Sequence, residues 1–223
     1  DAQESRGLGD VYKRQTNPQN QNKQDTQTLL ELAKARGWGT GVVTTTRITH
    51  ATPASTYAHI CHRDAENDIA SQLVPSSQGD TYQRYNVKLK DGVDVILGGG
   101  KRQFLPKDQG GERIDQRNLI AEMQQAGYRM VYDQTQLSQM KLGKNEKLLG
   151  LFNTSNLSYD LNRTKKNLPE PSLKQMTLAA LDILTQNKNG FFLMVEGGRI
   201  DHALHDTNAK RCLLYTSPSP RDS

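Results

Sequence analysis

An uninterrupted apolar run at residues 191–195 (FFLMV) is the feature that most restricts how this chain can fold. The run follows Gly190 and ends at a charged residue, Glu196. Apolar runs without alternating polar residues are typical of strands that are covered on both faces, as in parallel sheets. The sequence therefore predicts a strand at 191–195 that is buried on both faces.

Helical and strand-like segments alternate along the rest of the chain. Apolar spacing and turn residues predict helices at 28–36, 55–60, 68–74, 118–126 and 172–185, the last with Ser172 as its N-cap. Short β-branched or apolar runs predict strands at 40–46, 93–97, 128–132 and 148–152. This alternation predicts an α/β fold with a mostly parallel central sheet flanked by helices.

The two ends of the chain are related to each other at the DNA level. Residues 212–222 (CLLYTSPSPRD) have a codon set whose reverse complement, shifted by one base, encodes residues 5–15 (SRGLGDVYKRQ). Two ends of a natural protein have no reason to be inverted copies of one DNA segment, and the pair resembles a sequencing-library adapter read in both orientations. We therefore expect 1–15 and 212–223 to be non-native, 16–211 to be a partial domain, and the natural termini to be missing.

Charge and composition exclude some partners. The net charge is +5, but Lys and Arg are scattered and form no basic stripe with interleaved aromatic residues. We therefore expect no nucleic-acid partner. No apolar run approaches the roughly 20 residues that a membrane helix needs, so no transmembrane segment is expected in this chain. Two cysteines, Cys61 and Cys212, are too few for a disulfide framework.

Three side chains of metal-ligand type follow the apolar run 191–195. Glu196 comes directly after it, and two glycines then permit a sharp turn. Asp201 and His205 are four residues apart and would face the same way on a helical turn. A carboxylate and an imidazole that converge in this way are a plausible Zn²⁺ pair, and Glu196 is a harder oxygen ligand suited to Mg²⁺. By spacing alone, such a group is more often a solvated loop or a helix cap, whereas its position after a buried-type strand favours a site.

A second polar cluster follows the predicted strand 40–46. Thr52 stands before Pro53, where a threonine hydroxyl commonly caps a helix. His50 is compatible with a surface loop, and Arg63 with an exposed cation at a helix end. The residue types alone do not separate these interpretations from a binding role.

Three longer segments carry a family resemblance. Residues 44–59 (TTTRITHATPASTYAH), 94–102 (DVILGGGKR) and 190–205 (GFFLMVEGGRIDHALH) resemble segments of the alkaline phosphatases, in the same order, and the likeness extends over residues 28–205. It implies hydrolysis of phosphate monoesters at a centre of two Zn²⁺ ions and one Mg²⁺ ion, through a phosphoserine intermediate. It also implies a homodimer when the protein is complete, and a periplasmic or extracellular location.

The same resemblance assigns expected roles to seven residues. Thr52 and Glu196 match oxygen ligands of the Mg²⁺ site, and Asp201 and His205 match two ligands of one Zn²⁺ ion. Arg63 matches the arginine that clamps two phosphate oxygens, to which its planar fork is suited. His50 and His202 match positions beside the ligands that vary among members, some of which carry Asp and Lys there.

The resemblance also implies that this chain is incomplete. The nucleophilic serine of the family lies upstream of the first helix, and the remaining zinc ligands lie downstream. We therefore expect the 223-residue chain to be inactive although its parent is an enzyme. The alternatives are a phosphodiesterase or mutase of the same superfamily, and a non-catalytic module that binds metal or anions.

Overall fold

A computed structural model describes residues 26–60, 62–75, 86–141, 143 and 146–213. The adapter-like segment 1–15, nearly all of the segment 212–223, and Cys61 lie outside the described residues. The described elements alternate between strands and helices from residue 29 to residue 213.

The described strands form one parallel sheet. They are β1 (Gly39–Arg47), β2 (Val95–Gly99), β3 (Tyr128–Val131), β4 (Lys147–Leu151) and β5 (Phe191–Glu196). Their order is β3-β4-β2-β1-β5, and every pairing is parallel. The predicted α/β class with a mostly parallel sheet is therefore confirmed.

The helices connect successive strands or flank the sheet. Their bounds are α1 Leu29–Ala35, α2 Ala51–Ala54, α3 Glu66–Ser71, α4 Leu119–Gln125, α5 Gln134–Gln139, α6 Asp160–Lys165, α7 Leu173–Leu184, α8 Arg199–His205 and α9 Ala209–Leu213. The predicted N-cap Ser172 is confirmed, and it forms a capping box with Gln175. No helix within the described ranges is long and apolar enough to cross a bilayer.

The core lies on both faces of the sheet. Val42 and Ile96 belong to one buried cluster, whereas Val43 and Val95 belong to another, because successive side chains of a strand point to opposite faces. Helix α7 covers the second face with Met176 and other buried residues. The central strand β1 is consequently buried along almost its whole length.

Two expectations from the sequence are wrong in detail. The helix predicted at 55–60 is instead the short helix α2, which begins at Ala51 and ends before the turn at 55–57. The strand at 191–195 is present, but its side chains are only half-buried and Val195 is exposed. Among the described strands, β5 pairs only with β1. Strand β5 therefore lies at an edge of the described sheet and has no neighbouring strand on its other side.

Candidate functional site

Glu196 is fixed by the end of the neighbouring strand. It lies opposite Thr44 in the parallel register between β5 and β1. The hydroxyl groups of Thr44 and Thr46 both donate to Glu196 Oε2, the second at 3.1 Å. Because both threonines are fully buried in β1, the carboxylate is held in one position. Its other oxygen, Oε1, takes no part in these two hydrogen bonds.

The glycine pair after Glu196 permits a close backbone approach. A Cβ atom built on Gly198 would lie 2.9 Å from the Glu196 carboxyl carbon and closer still to Thr46 Cγ2. Gly198 has helical backbone angles, so the constraint here is space and not conformation. The glycine therefore lets helix α8 begin directly beside the carboxylate.

Helix α8 brings Asp201 and His205 together, as their spacing predicts. His205 Nε2 lies 3.5 Å from Asp201 Oδ2, and both side chains are exposed. Two ligands of a tetrahedral zinc ion, each about 2.1 Å from the metal, lie about 3.4 Å apart. The observed separation fits two ligands of one Zn²⁺ ion, which are half of a four-ligand site.

His50, His202 and Arg63 form a group beside these donors. His50 is the N-cap residue of α2, and its ring meets that of His202 edge-to-face, with the ring centres 5.5 Å apart. A terminal nitrogen of Arg63 lies 3.5 Å from His50 Nε2. The other ring nitrogen of His50, Nδ1, is buried without a hydrogen-bond partner in the described part of the chain. The three predicted residues are thus brought together.

Burial and positive neighbours favour neutral imidazoles in this group. Burial lowers the pKa of His50, and the charges of Arg47 and Arg63 lower it further, against the opposing effect of Glu196. Burial likewise lowers the pKa of His202, and Arg199 adds to this effect. Both rings are therefore suited to accept or donate hydrogen bonds as uncharged groups near neutral pH.

Thr52 lies in the second position of α2 with an exposed side chain. The cap of this helix is His50 and not Thr52, so the alternative interpretation of Thr52 as an N-cap is wrong. Within the described residues, no group of three His, Cys, Asp or Glu side chains is arranged to hold a metal ion. The metal-binding role of Thr52 stays a prediction, as do the roles of the other six residues.

Sequence reasoning missed several charged residues at this site. Arg47, at the end of β1, forms a two-pronged ion pair with Glu66, whose carboxylate also accepts from the Thr49 hydroxyl. Arg199 donates to His202 Nδ1 at 2.8 Å. The only available signal was the i, i+3 spacing of Arg199 and His202, because contacts such as that of Arg47 with Glu66 depend on tertiary structure.

The fold and this group of residues define an α/β protein with a polar site at the carboxyl ends of parallel strands, which is where such sheets usually bind ligands. Residues 12–216 match the family model described as alkaline phosphatase. The chain belongs to the alkaline phosphatase family. The match includes the whole segment 16–211, whose bounds as a partial domain stay a prediction.

Known relatives are similar to this chain in sequence and fold over part of their length. The chain is 38% identical over 203 residues to the tissue-nonspecific alkaline phosphatase of Rattus norvegicus, covering 83% of this chain and 38% of the relative. A crystal structure of alkaline phosphatase from Thermus thermophilus is 37% identical, with a TM-score of 0.69, over 82% of this chain and 34% of that one. A mutant of the enzyme from the Antarctic bacterium TAB5, with Mg bound in its M3 site, is 25% identical, with a TM-score of 0.60, over 83% and 46% of the two chains. The chain thus spans less than half the length of each of these relatives.

Proposed function

We propose that this chain is part of a metal-dependent alkaline phosphatase that hydrolyses phosphate monoesters through a phosphoserine intermediate. The observation that carries the proposal is the 3.5 Å approach of Asp201 and His205 beside the anchored carboxylate of Glu196. Membership of the family supports the reaction type, and the magnesium in the TAB5 mutant supports a metal-dependent site.

The metal sites would be divided between two sets of residues. Asp201 and His205 would hold one of two Zn²⁺ ions together with ligands from elsewhere in the parent, and Glu196 and Thr52 would contribute oxygens to one Mg²⁺ ion. When bound, such metals supply Lewis-acid stabilisation of charge on the reacting oxygens. The hydroxyls of Thr44 and Thr46 would orient Glu196 by occupying Oε2.

Arg63 would bind the phosphoryl group of the substrate. Its guanidinium would donate to two non-bridging oxygens and stabilise the charge that develops on them. His50, at 3.5 Å from Arg63, would limit the positions that this side chain adopts. A neutral His50 imidazole would add no charge of its own and would leave the positive charge of Arg63 available to the phosphate.

The 223-residue chain itself would not turn over substrate, because it holds only half of one zinc ligand set and none of its serines has the expected sequence context. A homodimeric state and a periplasmic or extracellular location are further proposals that rest on the family resemblance alone.

The test compares two proteins with an aryl phosphate, Zn²⁺ and Mg²⁺. We expect the complete parent, expressed from its recovered reading frame, to release phosphate, and the 223-residue chain to give no more than the buffer. Arg63→Ala in the parent should raise KM and lower kcat. An inactive wild-type parent would overturn the proposed function, and turnover by the short chain would overturn the proposal that it is inactive.

A further inference from the structure

Tyr159 contacts both ends of the helix that carries Asp201 and His205. It precedes α6 in the segment after β4 and is buried, with 7% of its surface exposed. Its ring lies against Arg199, the first residue of α8, and its hydroxyl bonds Asp206, the residue that caps the end of α8. One side chain from a distant segment thus bridges the whole length of this helix.

The contact at the start of α8 is a stacked guanidinium. Arg199 Cζ lies 3.7 Å from the centre of the Tyr159 ring, which is the arrangement of a cation–π contact. From this position Arg199 Nη1 donates to His202 Nδ1 at 2.8 Å. A guanidinium has no acceptor, so His202 Nδ1 must be the accepting nitrogen and a neutral ring must carry its proton on Nε2. The stack therefore sets the orientation of the His202 ring.

The contact at the end of α8 is a hydrogen bond. The Tyr159 hydroxyl donates to Asp206 Oδ2 at 2.7 Å. The guanidinium carbon of Arg211 lies 4.6 Å from the centre of the same ring, so this end of the helix has a second cation on Tyr159. Both contacts fix the position of α8 along its axis.

Helix α8 depends on such contacts because it packs poorly on its own. It has seven residues, and of these only Ala203 is buried. Isolated helices of this length are unstable in water, and most helical stability in proteins comes from packing. With one buried alanine, the direction in which Asp201 and His205 point is set largely by what holds the two ends.

We infer that Tyr159 is a positioning residue, which holds α8 at both ends and so fixes how Asp201 and His205 are presented to a metal. The inference rests on the proposed function for its catalytic consequence, but its structural part does not. Within the described residues, Tyr159 has no hydrogen bond or ring contact with the predicted metal ligands or with Arg63, so its effect on metal binding would pass through Arg199 and Asp206.

The structural part is tested in the 223-residue chain by amide hydrogen exchange and by ¹⁵N NMR of the His202 ring at one fixed pH. Tyr159→Phe keeps the stack and removes the hydroxyl, so it should lower protection of the amides at 205–208 and leave the His202 tautomer unchanged. Tyr159→Leu removes both contacts, so it should lower protection throughout α8 and give a mixture of tautomers. Unchanged protection and tautomer in Tyr159→Leu would overturn the inference.

Matched variants keep the test decisive if Tyr159→Leu does not fold. Arg199→Lys keeps the charge but not the planar stack and should also mix the tautomers, whereas Asp206→Ala should reproduce Tyr159→Phe. Tyr132→Leu is the control, because Tyr132 is exposed and also lies under a cation, Lys101, far along the chain from α8. This control should change neither readout, and an equal response in it would overturn the inference.

The catalytic part is tested in the complete parent by zinc competition with a chromogenic chelator. Loss of residues that orient metal ligands typically lowers affinity by about 10- to 100-fold, and we expect this range for Tyr159→Leu and a smaller loss for Tyr159→Phe. A parent that binds zinc but hydrolyses no phosphate ester would overturn the proposed function and leave this inference standing. If the parent is active and its Tyr159→Leu variant binds zinc as tightly as wild type, the inference is overturned.

Discussion

Replacing Gly198 by alanine tests how tightly the carboxylate of Glu196 is packed against the end of β1. The new Cβ would lie 2.9 Å from both Cδ and Oε1 of Glu196, and closer to Thr46 Cγ2, whereas real Cβ contacts essentially never fall below 3.0 Å. Thr46 is fully buried in the central strand and hydrogen-bonded to Glu196, so it has little freedom to withdraw. We therefore expect the substitution to displace Glu196 and to break its bonds to the two threonines.

The expected cost follows from the geometry. Forcing an extra methyl group into a well-packed site typically costs about 1–3 kcal/mol. For a chain of this size, a loss of about 2 kcal/mol lowers Tm by roughly 4–8 °C. Gly198 has a negative φ, so none of this loss comes from backbone strain.

Urea and thermal unfolding of the 223-residue chain measure this loss, with two glycines as controls. Gly127 has a φ of +91° and open space around it, so Gly127→Ala reports backbone strain alone, worth about 1–2 kcal/mol. Gly143→Ala meets only ordinary contacts and should stay within about 0.5 kcal/mol of wild type. If Gly198→Ala is as stable as Gly143→Ala, the close approach at Glu196 is refuted.

Three further substitutions separate supporting residues from predicted ligands, each measured by urea unfolding. Glu66→Gln should cost about 1–3 kcal/mol at pH 7 by weakening the ion pair with Arg47. Burial raises the pKa of Glu66, but the pairing with Arg47 outweighs burial and holds the pKa below its ordinary 4.5. The difference in unfolding free energy between wild type and variant is therefore complete above pH 4.5 and shrinks as the pH falls through the lowered pKa. A difference that persists in acid would contradict this. Glu31→Ala should cost about 3–5 kcal/mol, because it removes a fully buried carboxylate from the buried Asn86 and the partly buried His59. A loss below about 1 kcal/mol would contradict this. Asp201→Asn should change stability by less than about 0.5 kcal/mol because this side chain is exposed, and a larger loss would show a structural role.

Most of the fold could be predicted from local sequence patterns. The helix at 172–185 and the strand at 40–46 have strong periodicity or β-branched composition, and both were confirmed. The helix predicted at 55–60 is wrong, because the helix in this region, α2, begins at Ala51 and ends at Ala54, after a single turn. Helices α5 and α6 were not predicted, because short polar helices carry little apolar signal.

The site was predictable in part. The spacing of Asp201 and His205 correctly predicted that they converge on one helix. The burial of residues 191–195 was overestimated, because an apolar run does not reveal whether its strand is central or at an edge. The roles of Arg199 and Tyr159 were missed because they arise from contacts between segments 40 residues apart in sequence, and neither residue type is distinctive by itself.

The residues that hold the predicted ligands in place, the supports, differ from the ligands themselves in burial. This difference explains why the sequence pattern indicates the site mainly through its exposed residues. Asp201 and His205, the predicted zinc ligands, are exposed, so substituting them should affect the core little. Thr44, Thr46 and Tyr159 contact the segments that carry the predicted ligands, and they are buried and contribute to packing as well as to geometry. Substitution of a support therefore changes stability and site geometry together, whereas substitution of a ligand changes the chemistry alone. A loss of metal affinity that is accompanied by a loss of stability identifies a support, and a loss of affinity at constant stability identifies a ligand.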